Sequence, residues 1–488
     1  MIDTNCLQNA VDTEFPQYTA ELHSLLAALS LQADPLSVTV LDRSRVASNI
    51  GIIAYLAAFG PADAQLAAHQ AAWNIASALG IYCASIDPLY REIAAGKVTG
   101  ITVPAMNIRA IAFQSARGVF QAMKNQDVKA AIFELSRGEI GFTGQRPREY
   151  ATVVLCAAIA EYHTGPVFLQ GDHFQVSAQR FRDNPAGELS AVRSLIAEAV
   201  SAGFYNIDID TSTLVDLSFV ETADQQKPNY ELTAELAAFT RSVEPNGVTI
   251  SLGGEIGEVG EHNSTLKELD AYLSGYVEQM QQHGSNKDHP GLTKISVQTG
   301  TRHGGNILAD GSVGEMNVDF DLITQLSARC RIPYGLAGCV QHGASMLSLA
   351  KISRLPQHDC IEVHLAAAFL NVIYDHLPAH LVQHADEWIK TTFSHEWQTD
   401  WSEPQFLHHA RRYPIGPNKR SWWDSDTNHD KLRAAVCTKA SEYFTALNVQ
   451  NTGPRVIQIT PRTHVPWTSG PDAESISMDE ASIKDLAS

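Results

Sequence analysis

The chain has 488 residues, a formal net charge of −19 and 44% hydrophobic residues. The negative charge argues against nucleic acid and anionic membranes as partners, because both bind cationic surfaces. No run approaches the roughly 18 consecutive apolar residues that a membrane span needs, and the first residues lack the pattern of a signal peptide. The seven cysteines are scattered without a CxxC pair, which favours free thiols. We therefore expect a cytoplasmic protein with a sizeable core.

The first part of the chain, residues 1–95, is rich in alanine and leucine with helical spacing, as in LAAHQAAWNIASALG. This periodicity predicts a helical N-terminal extension. Such an extension packs either on the following domain or on a second subunit. Because helical extensions of this kind commonly bury subunit surface, we expect a homo-oligomer.

Between residues 96 and 370, short β-branched runs alternate with amphipathic stretches of helix length. Eight such runs predict a (β/α)8 barrel, an α/β TIM-barrel fold. An open doubly wound sheet is the alternative, but no GxGxxG stands at a strand–helix turn. The runs are ITVPAMNI (101–108), KAAIFELS (129–136), PVFLQGDH (166–173), YNIDIDTS (205–212), VTISLGGEIG (248–257), TKISVQTG (293–300), YGLAGCVQHG (334–343) and CIEVHLA (360–366).

The last part of the chain has two different characters. Residues 371–465 predict a helical C-terminal extension, which the basic and aromatic segment RRYPIGPNKRSWWD (411–424) interrupts as a loop. That loop either binds a phosphate near the barrel mouth or is anchored by its aromatic residues with solvated charges. Residues 466–488 are small, polar and acidic, and predict a disordered tail.

Polar residues stand where the predicted strands end, which is where a barrel of this kind carries its active site. Alone, each of them has a structural explanation, as a hydrogen-bonded histidine, a helix cap or a turn. Together they place three histidines and several carboxylates on one rim, the arrangement that a catalytic Zn²⁺ or a similar divalent ion needs. They are Asp172, His173, Asp208, Asp210, Glu255, Glu258, Glu261, Arg302, His303, Gly304, His342, Gly343 and Ser345.

The motifs that carry these residues resemble those of the class II, metal-dependent ketose-bisphosphate aldolases, the family of fructose- and tagatose-bisphosphate aldolases. The resemblance covers roughly residues 100–370. VPAMNI is similar to the family's VPAFN, LQGDHF to HxDH, and DIDTS to IDGS. LGGEIGEVGE is similar to ExELGxxGG, and TRHGG and VQHGAS to the two metal-binding His–Gly motifs.

The resemblance implies a role for each matching position. His173, His303 and His342 would hold the metal, Glu255 and Asp210 would offer alternative or second-site coordination, and Asp172 would be the general acid/base. Glu261 would stand near the family's mobile catalytic glutamate. The substrate site would be lined by Asn107, Ser136, Arg302, Gly304, Gly343, Ser345 and His364.

The implied reaction is cleavage and formation of a C–C bond in a ketose (bis)phosphate through a metal-stabilised enediolate, giving dihydroxyacetone phosphate or an analogue and an aldehyde. This is a lyase activity of carbohydrate metabolism, as in glycolysis. The Asp172–His173 pair fits it, because a chain that turns at a strand end can present one side chain to the metal and its neighbour to the substrate.

Departures from the family leave the substrate open. Gln170 and Gly253 replace a usual His and Glu, and His364, Ala366 and Ala367 stand in the eighth strand where the family has NIDTD. A monophosphate or another sugar or keto acid is therefore an alternative to a bisphosphate. Two other functions also stay open: a non-catalytic companion subunit of a tagatose-bisphosphate aldolase, and a metal-dependent sugar epimerase or isomerase.

Overall fold

The computed structural model describes most of the chain. The side chains of Leu31, Asn306 and Val313 are not described. The described ranges are 2–31, 38–256, 262–283, 291–301, 306–310, 312–314 and 316–470.

The N-terminal part is mostly helical, as its spacing predicts, but it also contains three short strands. The strands are β1 (Leu29–Leu31) and β2 (Val38–Val40), which pair antiparallel, and β3 (Ile81–Cys83). The helices are α1 (Thr4–Glu14), α2 (Thr19–Ala27), α3 (Arg43–Asn49), α4 (Gly51–Phe59), α5 (Ala62–Ala78) and α6 (Asp87–Ala94), with a 3₁₀ turn at Pro16–Tyr18.

The centre of the molecule is a closed barrel of eight parallel strands, which confirms the predicted (β/α)8 fold. All eight observed strands lie within or next to the predicted runs. They are β4 (Val103–Asn107), β5 (Ile132–Ser136), β6 (Gly165–Gln175), β7 (Asn206–Asp210), β8 (Ser251–Glu255), β9 (Lys294–Val297), β12 (Cys339–Gln341) and β13 (Cys360–Leu365). An antiparallel pair, β10 (Asn306–Ile307) with β11 (Val313–Gly314), lies in the segment between β9 and β12.

Neighbouring barrel strands follow chain order around the ring, and β13 returns to pair with β4. Strand β3 pairs with the first residues of β6 from outside the ring. The ring is surrounded by α7 (Ala112–Asn125), α8 (Arg137–Thr143), α9 (Pro147–Ala160), α10 (Ala178–Asp183), α11 (Pro185–Ser201), α12 (Thr222–Ser242), α13 (Leu266–Gln282), α14 (Phe320–Arg331), α15 (Leu349–Ile352) and α16 (Ala367–Tyr374). Short 3₁₀ segments occur at Ser212–Leu214, Ala344–Met346 and Leu355–His358.

The segment between β3 and α6 closes the amino-terminal end of the barrel. Asn206, at the start of β7, accepts a hydrogen bond from the Ile86 amide at 2.8 Å and donates to the Leu169 carbonyl at 2.8 Å. From α6 the fully buried Tyr90 reaches into the barrel, where its hydroxyl donates to Glu362 of β13. The N-terminal extension is therefore bonded directly to the barrel interior.

The C-terminal part is helical and packs along the barrel. It comprises α17 (Ala379–Thr392), α18 (Glu403–Ala410), α19 (Ile415–Trp423), α20 (His429–Ala446) and α21 (Gly453–Ile459), with a 3₁₀ turn at Ser394–Glu396. Gly118 of α7 allows α20 to come close, since a Cβ at this position would collide with the Arg433 carbonyl. From α18, Gln405 bonds the Ile307 carbonyl at 2.7 Å.

The expectation of a basic loop at 411–424 is wrong, because residues 415–423 form α19. Trp422 is buried on its inner face. Lys419 pairs with Glu149 at 2.7 Å and Arg420 pairs with Asp424 at 3.5 Å, so two of the four basic side chains have carboxylate partners. The aromatic residues thus anchor a helix.

None of the helices in the described ranges is long and apolar enough to cross a membrane. Of the predicted tail, 466–488, residues 471–488 lie outside the described part of the chain, so disorder there stays a prediction.

Candidate active site

A bulge in the third barrel strand places Asp172 and His173 at the carboxyl-terminal mouth. We expected the strand to end at His173, but β6 continues to Gln175, and its pairing with β7 shifts register between Gly171 and Phe174. His173 lies in this bulge with φ of +41°, a left-handed conformation that is strained for a residue with a Cβ. Bulges next to active sites change the direction of side chains. Here the bulge, and not a turn at the strand end as we expected, directs Asp172 and His173 to different partners.

The bulge brings His173 against a histidine from the seventh barrel strand. Nε2 of His173 lies 2.8 Å from Nδ1 of His342. The second nitrogen of each ring has another partner: Nδ1 of His173 lies 3.2 Å from Asp210, and Nε2 of His342 lies 2.7 Å from the Ser296 hydroxyl. Partners of this kind fix the ring orientation and tautomer of a metal-ligating histidine.

A carboxylate completes a group that suits a divalent ion. The ligand atoms of His173, Glu255 and His342 all lie within 4.8 Å of one another. Glu255 is 3.0 Å from Nδ1 of His173, the nitrogen that also faces Asp210. Two imidazole nitrogens and one carboxylate oxygen form a common donor set for catalytic Zn²⁺. We call these three residues, with Asp210 and Ser296, the histidine cluster.

Asp210 is surrounded by hydrogen-bond donors from the protein, and its predicted metal coordination stays a prediction. Its two carboxylate oxygens lie within bonding distance of Gln175 Nε2 (2.7 Å), the Ser212 amide (3.0 Å) and the Ser212 hydroxyl (2.7 Å), as well as His173. With so many protein donors around it, Asp210 fits the orientation of His173 better than metal coordination.

The electrostatics of the cluster also favour a bound cation. Burial by itself lowers the pKa of His173, but Asp172, Glu255 and Asp210 outweigh it and raise the pKa well above the ordinary value. Burial raises the pKa of Glu255 to about 7, with Asp210 and Asp172 adding to the effect against His173. The cluster thus combines two carboxylates with two imidazoles, and none of its five residues is a lysine or an arginine, which suits a divalent ion.

Asp172 lies between the cluster and a second set of charged residues. One of its oxygens is 3.7 Å from His173 and 3.0 Å from Nδ1 of His364. Burial raises the pKa of Asp172, but His173, His364 and Lys294 outweigh burial and hold the pKa below its ordinary value. Among the described residues, that same oxygen accepts no aligned hydrogen bond. An ionised carboxylate in this position is suited to take a proton.

The second set fills the barrel below the mouth, and we call it the buried charge layer: Glu134, Asp208, Lys294, Glu362 and His364. Each of these side chains is at least nine-tenths buried. Lys294 lies 2.9 Å from Asp208 and 2.5 Å from Glu362, and its pKa is raised because these carboxylates outweigh burial. Gly253 leaves the room for this pair, since a Cβ there would collide with both Asp208 and Lys294.

The predicted substrate residues lie along the mouth. Asn107 is buried at the end of β4 and donates to Glu139. Ser136 caps α8, because its hydroxyl accepts from the Glu139 amide at 3.1 Å. Gly343 has φ of +67°, and the Ser345 carbonyl accepts from Tyr443 of α20 at 3.4 Å. Their roles in binding stay predictions.

Four predicted site residues, Glu261, Arg302, His303 and Gly304, lie outside the described ranges, as does Glu258. His364 touches Asp172 and Glu134 within the barrel, and its contact with substrate stays a prediction.

Five residues of the site were not predicted from the sequence: Tyr90, Glu134, Lys294, Ser296 and Glu362. Two of them carry a usable signal. Glu134 in IFELS and Glu362 in CIEVHL are charged residues inside apolar strand runs. Side chains two residues apart in a strand lie on the same face, so each of these carboxylates shares the inner face of the barrel with its second neighbours. A charge at such a position predicts a buried partner.

The chain is similar to known proteins in sequence and in fold. Residues 90–423 match the family model for class II fructose-bisphosphate aldolase. No curated protein matches the chain. A probable tagatose 6 phosphate kinase from Sinorhizobium meliloti 1021 has a similar fold, with a TM-score of 0.52 and 15% identity over 71% of this chain and all of its own, 100%.

Two aldolases also align. The YdjI aldolase from Escherichia coli K12 has 16% identity over 75% of this chain and 98% of its own, with a TM-score of 0.44. The fructose-bisphosphate aldolase from Campylobacter jejuni has 14% identity over 76% of this chain and 97% of its own, with a TM-score of 0.43. The family model alone, which spans more than half of the chain, carries the assignment: this protein belongs to the class II fructose-bisphosphate aldolase family.

Proposed function

We propose that the protein is a metal-dependent aldolase that cleaves and forms a C–C bond in a phosphorylated ketose. The observation that carries the proposal is the pair of facing nitrogens of His173 and His342, 2.8 Å apart, each ring held from behind by Asp210 or Ser296. Membership of the class II family supports an aldolase-type reaction.

His173, His342 and Glu255 would hold the divalent ion, for which Zn²⁺ is the best match to their donor atoms. When bound, a divalent ion polarises a carbonyl and stabilises the negative charge that develops beside it. His303, by resemblance, would be a further ligand.

Asp172 would perform the proton transfer. Its carboxylate is kept ionised by the neighbouring imidazoles and Lys294. On cleavage, a carboxylate oxygen of Asp172 takes the proton of the hydroxyl next to the breaking bond, and on condensation it returns that proton. His364 and Asn107 would contact the hydroxyls of the substrate.

The test is elemental analysis of the purified protein together with a cleavage assay on ketose mono- and bisphosphates and unphosphorylated ketoses, with and without EDTA. About one zinc per chain and EDTA-sensitive release of an aldehyde would support the proposal, and the substrate panel would decide the number of phosphates. Neither metal nor cleavage after added zinc would point to a companion subunit. Exchange between isomers without aldehyde release would point to an epimerase or isomerase.

A further inference from the structure

A continuous line of contacts runs through the buried charge layer to Asp172. Lys294 of β9 lies 2.5 Å from one oxygen of Glu362, and the same oxygen lies 2.7 Å from Nε2 of His364. Nδ1 of His364 then lies 3.0 Å from Asp172. The line joins the sixth, eighth and third barrel strands.

Glu362 is the centre of this line because its two oxygens have different partners. One oxygen takes Lys294, His364 and the Gln170 amide at 2.9 Å. The other accepts the hydroxyl of Tyr90, which comes from α6 in the N-terminal extension. Both oxygens of the Glu362 carboxylate therefore have partners within the protein, which hold its orientation.

His364 is consequently held at Nε2. Glu362 binds Nε2, which leaves Nδ1 to face Asp172 and, at 3.1 Å, Glu134. A carboxylate behind an imidazole sets the ring's orientation and presents its other nitrogen to a reacting group, as in hydrolytic triads.

An apolar interior would have been the simpler solution. Barrel interiors are usually filled by branched apolar side chains, and a buried ion pair is often no more stabilising than apolar residues of similar volume. A layer of five ionisable side chains just below a reaction centre is therefore better explained by a demand for orientation than by stability.

We propose that Lys294, Glu362 and Tyr90 are positioning residues, which act through His364 to hold Asp172 in its working orientation. The N-terminal extension is then part of the support of the active site, through Tyr90. This inference rests on the proposed function, in which Asp172 carries the proton.

The test compares Tyr90→Phe and Glu362→Gln with wild type in the full-length, zinc-loaded protein. Tyr82→Phe is the matched control: Tyr82 lies in β3 of the same extension, and its hydroxyl donates to the Thr460 carbonyl at 3.1 Å, away from Glu362. The measurements are kcat and KM on the ketose phosphate that the wild type cleaves, the zinc content, the melting temperature and the imidazole N–H resonances of ¹⁵N-histidine-labelled protein. His364→Asn assigns the His364 resonance.

We expect Glu362→Gln to lower kcat about 10–100-fold, the usual cost of removing a partner of an active-site ligand, and Tyr90→Phe to lower it about 3–10-fold. KM and zinc content should stay at wild-type values, and the His364 resonance should shift in both variants but not in Tyr82→Phe. Tyr90→Phe removes a single oxygen, so it keeps the test valid if Glu362→Gln does not fold.

A fall in melting temperature with unchanged kcat, or the same loss of kcat in Tyr82→Phe, would overturn the inference. So would an unmoved His364 resonance in both variants. The His364 resonance can be measured without turnover, so the proposed function and the positioning role are tested separately. A wild type without cleavage overturns the proposed function. An active wild type with unaffected variants overturns only the positioning role.

Discussion

The histidine cluster and the buried charge layer are neighbours in one barrel, yet they balance charge in opposite ways. The layer contains its own cation, Lys294, in contact with Asp208 and Glu362. The cluster has carboxylates and two imidazoles whose nitrogens face each other, without a lysine or arginine among its five residues. Ligand spacing alone therefore does not distinguish the two regions, but the presence of a side-chain cation does.

The buried charge layer contains a candidate metal group of its own. Asp208, Glu362 and His364 also offer ligand atoms within 4.8 Å of one another. Lys294 already pairs with both carboxylates of this group, Asp208 and Glu362. The layer therefore has a side-chain cation of its own, whereas none of the five residues of the cluster is a lysine or an arginine.

Removal of a cluster histidine should have the largest effect. His342→Ala deletes one of the two facing nitrogens, so we expect loss of bound zinc and of all cleavage activity while the barrel stays folded. Elemental analysis, the cleavage assay and circular dichroism measure this. His384→Ala, on the exposed face of α17, is the control. A zinc-free His342→Ala protein with wild-type activity would rule out the metal mechanism.

Asp172 stands between the two regions, and its substitution should separate metal binding from proton transfer. In Asp172→Asn the amide cannot accept the proton, so kcat should fall by about 10²–10⁴-fold. The zinc content should stay at the wild-type level, because the proposed ion lies between His173, Glu255 and His342, whereas Asp172 belongs to another group of possible ligands, with His342 and His364. Loss of zinc together with activity would instead make Asp172 a ligand.

Lys294→Met should affect stability rather than metal content. It leaves the carboxylates of Asp208 and Glu362 buried without their cation, which costs about 3–5 kcal/mol of unfolding free energy. Urea denaturation measures the loss, and Lys439→Met, at a half-exposed pair with Glu442, should change stability by less than about 0.5 kcal/mol. A stable Lys294→Met protein that binds a second zinc would show that the layer, too, can be a metal site.

A buried histidine outside both regions shows how burial without a neighbouring carboxylate changes the pKa of an imidazole. His69 of α5 is buried beside Thr152, and burial with Arg148 nearby lowers its pKa to about 3, opposite to the shifts of His173 and His364. The unfolded chain binds the proton more readily, so His69 destabilises the fold as the pH falls below 6.5.

The expected size is about 2 kcal/mol between pH 6.5 and pH 5, at 1.36 kcal/mol per pH unit. His69→Gln should make the unfolding free energy less dependent on pH in this window, as chemical denaturation at a series of pH values would show. An unchanged slope would mean that His69 titrates normally in the folded protein.

Much of the site could be read from single segments. Asp172, His173, Glu255 and His342 each follow a strand-like run, and the carboxyl ends of parallel strands must meet at one mouth. The bulge at His173 had no signal that we recognised, because it depends on how β6 pairs with β7, which is a property of two segments.

The sequence by itself determined the eight strands, their order and the residues at their ends, since periodicity is local and each strand carries its own pattern. Only the tertiary structure decided which charges meet. Tyr90 and Glu362 are 272 positions apart, and Lys294 and Glu362 are 68 apart. A lone charge in a strand indicates that a partner exists, but the closure of the barrel, through register and strand order, selects that partner.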